Sequence, residues 1–170
     1  KAIVSLSGKA AITRVVELPK LGAAQTRQAI SIGINQYVPF PPADTHYDYK
    51  VLPAREGLNP SMQEVLLVAT KISTVDSLIQ TLKAAGIEAA GIKITSLASW
   101  NLIESQLSTY TQTVGVIDIR DTVTDLSFFL NSQFRMSRPV ELGYEHILDR
   151  VANHLGVTRN EAEVYLRDEQ

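Results

Sequence analysis

A mixed α/β chain, of the α+β kind with mixed sheets, is predicted from three observations. Over roughly the first 110 residues, short β-branched runs alternate with segments of helical spacing. One run, EVLLVAT at 64–70, is continuously apolar enough for a central strand. From residue 114 the pattern changes to three strands in succession, after which two helices close the sequence. The 170 residues are 45% hydrophobic and 20% charged, which suits one ordinary domain or two small ones with a real core.

The elements follow in order. AIVSL (2–6) and AAITRVVEL (10–18) read as strands, separated by Ser7-Gly8-Lys9, and Pro19 closes the second. Between 23 and 38, Thr26, Ile30, Gly33, Ile34 and Tyr37 fall at helical spacing; Pro39 stops that helix because a residue before proline avoids the α region. THYDYKVL (45–52) alternates, with Tyr47, Tyr49 and Val51 on one side and His46, Asp48 and Lys50 on the other. PAREGLNPSM (53–62) reads as a loop. After the 64–70 strand, Ser73 with Asp76 is expected to cap a helix whose stripe is Val75, Leu78, Ile79 and Leu82, ended by Gly86. IEAAGIKI (87–94) returns as a strand, and 96–109 is a helix bearing Leu97, Trp100, Leu102, Ile103 and Leu107.

The three strands are expected at 114–119, 123–130 and 133–141, with Asn131-Ser132 as the second hairpin turn. A helix over 144–155 buries Ile147, Leu148, Val151, Ala152 and Leu155, and Thr158 with Glu161 forms a capping box that opens a last helix to about 168. A β-β-β-α run is how each half of an actin-like or ribonuclease-H-like fold begins.

With that meander in place, the chain resembles the PilM family, actin-like proteins of type IV pilus assembly related in architecture to FtsA. The resemblance is carried by ELP at 17–19, QYVPFP at 36–41, DYKVL at 48–52, EVLLVAT at 64–70, LKAAGIE at 82–88, VIDIRDTVTDLSFF at 116–129 and VELGYEHILDRVANHLGVTRNEAE at 140–163. It implies that 1–9 and 87–110 are pieces of the first actin-like subdomain. Residues 10–86 would be a small α+β subdomain of the FtsA type inserted into it, and 111–170 the opening of the second half. The chain is then expected to be a fragment lacking N-terminal and C-terminal parts.

For the sites, VGVIDIRDTVTDLSFF (114–129) shows an apolar strand that ends in an acid, turns and re-enters a strand. In a nucleotide-binding fold such a turn closes backbone N–H groups round phosphate while the acid orients Mg²⁺ or water. The resemblance makes this the second phosphate loop, with Asp118, Thr122 and Thr124 facing phosphate. Arg120 stands where that loop usually has glycine, so either its guanidinium reaches phosphate or the turn has become structural and Asp118 caps it. No catalytic residue is expected, since phosphoryl transfer needs both phosphate loops. No cofactor is expected in this stretch, whereas ATP and Mg²⁺ are implied as ligands of a complete protein.

The YVPFP segment reads either as a helix stop whose rings plug the core or as part of a peptide groove with aromatic anchors. By resemblance, a groove between the first and inserted subdomains receives the N-terminal tail of the inner-membrane partner PilN. Ile30, Ile34, Tyr37 and Phe40 are the candidate wall. The implied function is a binding scaffold at the cytoplasmic face of the inner membrane; the alternative is an FtsA-like ATPase acting through hydrolysis or polymerisation. An unpaired strand edge at AIVSL is expected to favour self-association.

Other classes find little support. A net charge of −2 without a basic cluster argues against nucleic acid. There is no apolar run long enough to span a bilayer and no charged-then-apolar leader at the start. Zero cysteines exclude disulfides and thiolate zinc sites. His146 and His154 lie eight residues apart on one helix, about 12 Å, which is too far for one metal. His46 and Asp48 share a strand face without a third ligand, and no metal site is expected.

Overall fold

The computed structural model describes residues 1–7, 9–107 and 112–168, without the side chains of 102–107 and 168. Gly8, residues 108–109 of the expected helix, and the side chains of Leu102, Ile103 and Leu107 therefore lie outside the described residues.

Among the described residues, eight strands and five α-helices follow in the expected order. They are β1 (Ala2–Leu6), β2 (Ile12–Pro19), α1 (Ala23–Tyr37), β3 (Thr45–Val51), β4 (Met62–Lys71), α2 (Ile72–Ala84), β5 (Ala89–Ile94), α3 (Thr95–Leu107), β6 (Thr113–Ile119), β7 (Thr124–Leu130), β8 (Gln133–Val140), α4 (Tyr144–Leu155) and α5 (Arg159–Asp168). A six-stranded antiparallel sheet has the order β3-β4-β2-β8-β7-β6, while β1 and β5 form a separate parallel pair. β2 and β8 share one ladder pair, Arg14 with Met136.

The two faces of the large sheet hold different cores. On one, Ile30 and Ile34 of α1 pack with Leu18, Val38, Val65, Leu67 and Ala69, and Tyr47 and Tyr49 close the side. On the other, Leu66, Trp100, Phe129 and Phe134 form a cluster in which the Trp100 and Phe129 rings stack at 3.6 Å and 14°. Each such side chain contributes about 1.5–3 kcal/mol on burial. The β1–β5 pair docks on this second face, where Leu6, Ala11 and Ile94 gather Val68, Leu78 and Leu97. α4 and α5 bury Leu148, Ala152 and Ala162 against each other.

Local signals held at most ends. Asn131 and Ser132 take φ of 50° and 59°, the positive pair that a two-residue hairpin turn demands. Thr158 N–H donates to Glu161 Oε2 at 2.8 Å and Glu161 N–H returns to Thr158 Oγ1 at 3.4 Å, closing the predicted box. Gly86, at φ 70°, follows α2 as its stop.

Three expectations are corrected. α2 starts at Ile72 with Lys71 as its cap residue and no side-chain bond, so Ser73 sits inside the first turn. The α2 stripe is only half-buried, because it meets the margin of the sheet. Leu155 is 50% exposed, since it ends α4 beyond the contact with α5.

Candidate functional site

The acid turn is built by β6 and β7, whose register places Asp118 opposite Asp125. Two carboxylates on one strand pair call for a cation, and Arg120 supplies it. Its Nη2 bonds Asp125 Oδ2, and its Nε stands 3.8 Å from Asp118 Oδ2, which also accepts from Ser99 Oγ at 3.1 Å. Burial pushes the Asp125 carboxyl above its usual value; Arg120 works against this, and Asp118 adds to it.

The turn is then locked from below. Arg120 N–H donates to Val123 O at 3.0 Å, closing it, and α4 aims its first two amides at its carbonyls: Tyr144 N–H to Arg120 O at 2.8 Å, Glu145 N–H to Asp121 O at 2.9 Å. That approach requires Gly143, because a Cβ there would lie 2.4 Å from Arg120 O. His146 Nδ1 accepts from Gly143 N–H at 3.1 Å and so helps cap α4. Thr124 Oγ1 donates to Leu142 O at 2.5 Å, while Thr122 is exposed.

These contacts bear on phosphate. Of the four candidate residues, Arg120 is held by two acids, Asp118 is engaged by Arg120 and Ser99, and Thr124 is turned inward. Thr122 is left as the exposed hydroxyl. The amides at the α4 N-terminus, which an anion would use, are spent on the turn itself. This set does not fit a triphosphate with Mg²⁺ in the arrangement observed, and the turn reads as architecture. Asp125 was missed in the sequence, where an acid inside TDLSFFL passes for the solvent side of a strand; Arg120 five residues earlier was the signal.

The four candidate groove residues separate. Ile30 and Ile34 are buried in the α1 core and present no surface. Phe40 packs on the edge of the same core with Lys71 over its ring at 5.5 Å. Tyr37 is half-buried and lines a groove of about 780 Å³ between the end of α1, β2 and β8.

A second cleft of about 810 Å³ opens on the opposite face of the sheet. One wall is the outer side of β3 and β4, with His46, Asp48, Lys50 and Leu66; the other is β5 and α3, with Lys93 and Leu97. Trp100 stands at its base. None of the four candidates lines it. His46 is thus on a cleft rim, whereas His154 is exposed on α4. Among the described residues no group of His, Cys, Asp or Glu could hold a metal ion, and no helix is long and apolar enough to cross a membrane.

An antiparallel sheet divided between two cores, with the β1–β5 pair set on one face and a clamped acid turn, defines a mixed α/β protein. Residues 1–170 match the family model described as type IV pilus assembly protein PilM, and the chain belongs to that family. A solved PilM–PilN type IV pilus biogenesis complex is similar over 97% of this chain and 49% of that one, at 20% identity and a TM-score of 0.80. The cytoplasmic domain of EpsL, an inner-membrane component of the type II secretion system of Vibrio cholerae, is similar over 82% of this chain and 50% of that one, at 14% identity and a TM-score of 0.53. At such identities the likeness is one of fold. The chain spans about half the length of these solved chains.

Proposed function

We propose that this chain works by binding, as a scaffold of type IV pilus assembly that holds the N-terminal tail of a PilN-like inner-membrane protein and links it to the assembly machinery. The observation that carries the reading is the cleft between β3–β4 and β5–α3. We assign 1–9 and 87–110 to the first subdomain, 10–86 to the inserted one and 111–170 to the start of a second half, which makes this cleft the junction of the first two. Its apolar floor at Leu66, Leu97 and Trp100 suits the aliphatic side chains of an extended tail, and Asp48, Lys50 and Lys93 can fix its direction. Ile30 and Ile34 then support the β4 wall from behind, and Tyr37 belongs to the other groove.

The same reading puts the chain at the cytoplasmic face of the inner membrane, held there through its partner. What supports binding over turnover is the acid turn, whose cation and hydroxyl are used internally. The FtsA-like alternative, nucleotide hydrolysis or polymerisation, needs that turn to release Arg120.

The test is calorimetric titration of the protein with the PilN N-terminal peptide and, separately, with Mg-ATP. Saturable peptide binding that Lys93→Glu weakens by about tenfold supports the scaffold. ATP binding with turnover and no peptide binding overturns it.

A further inference from the structure

The groove on the α1 side goes beyond that reading. β2 and β8 are antiparallel neighbours that touch at one ladder pair, Arg14 with Met136, and then part. The groove opens where they diverge, bounded by 11–15 and 135–139, with Tyr37–Pro39 as its rim. Two strand edges therefore face one space with most of their ladder positions unmatched to each other, which is the setting in which an extended segment adds to a sheet.

Its charge is one-sided. The lining holds Arg14, Arg135 and Arg138 and not one acid. Arg135 is neutralised on the far face by Glu64. Arg14 and Arg138 lie on the groove side, because Arg14 is opposite Met136 and Arg138 is two residues further along β8. Neither side chain has an ion pair or hydrogen bond among the described residues. Ser96 of α3 also lines the groove; it is 3% exposed and its Oγ has no partner among the described residues.

The geometry points to a docking groove for an acidic, extended peptide segment of a second protein partner, separate from the tail cleft. Its backbone lies along the parted edges of β2 and β8, its carboxylates meet Arg14 and Arg138, and its apolar side chains rest on Met136 and Tyr37. Small anions lack the length to use both edges. A peptide with basic side chains is repelled here by Arg14 and Arg138.

The probe is a dye-labelled peptide of about ten residues alternating Glu and Val, followed by fluorescence anisotropy with the intact protein. The expected result is saturable binding that weakens with salt and falls about tenfold in each of Arg14→Glu and Arg138→Glu. The exposed α2 substitution Lys83→Glu leaves it unchanged. Circular dichroism confirms that the variants fold, and their unaltered response to the PilN peptide keeps failure here distinct from failure of the tail cleft. Absence of binding, equal binding of a Lys–Val peptide, or an oligonucleotide of the same charge binding as tightly overturns the proposal.

Discussion

Arg135 Nη1 stands 2.5 Å from Glu64 Oε2, tying β8 to β4 across the intervening β2. Glu64 is 4% exposed, and its other oxygen takes Arg55 Nε at 2.7 Å. β2 and β8 share one ladder pair, and this charge clamp adds a second tie between the two halves of the sheet beside the Leu66–Phe129–Phe134 cluster. Glu64→Gln leaves Arg135 without its counter-charge, and a loss of about 3 kcal/mol is expected in urea unfolding.

The clamp also sets a pH dependence. Burial alone would raise the Glu64 carboxyl, but the hydrogen bonds and charges of Arg55 and Arg135 outweigh it and hold the group below its usual value. Its contribution is therefore full above the unfolded-state value of about 4.3 and is lost as pH falls through the lower folded one. Asp125 has the opposite sign: its raised carboxyl takes stability away as pH rises through and above the unfolded-state value of about 3.9, up to its folded one. Urea midpoints between about pH 3 and about pH 7 should show a shallower acid loss in Glu64→Gln and a steeper one in Asp125→Asn.

Gly143→Ala drives a Cβ into the carbonyls of Arg120 and Asp121, at 2.4 and 2.5 Å. Backbone must shift, so a loss of about 2–3 kcal/mol is expected. Gly91→Ala, with nothing within 4 Å of the new atom, is expected to cost little or to stabilise slightly. Paired thermal melts check the contrast.

Phe129→Ala removes a ring that is 1% exposed and stacked on Trp100, at an expected cost of about 3–5 kcal/mol. The chain has one tryptophan, so its emission reports on this place alone. A shift to longer wavelength in the folded variant is the measurement.

What the sequence disclosed was local. The extent of α1 followed from Pro39 and the spacing of Thr26, Ile30 and Ile34; the Asn131-Ser132 turn and the Thr158–Glu161 box depend on residues within three of each other. Pairings distant in the chain were not visible. Ile30 and Ile34 formed an apolar stripe that a groove and a core explain equally well, and only the β2–β4 register put core residues over them. Glu64 opened an apolar strand and gave no sign that Arg135, 71 residues away, would meet it. The acid turn was legible as a place but not as chemistry, since the fate of Arg120 hung on Asp125 across the hairpin.

The tail cleft has a direct reporter, because Trp100 stands at its base. The measurement is Trp100 emission during titration of the protein with the PilN N-terminal peptide, repeated in Lys93→Glu. A saturable change that moves to about tenfold higher peptide concentration in the variant is predicted. A peptide that binds by calorimetry with no change in emission, and equally well to Lys93→Glu, would contradict the assignment.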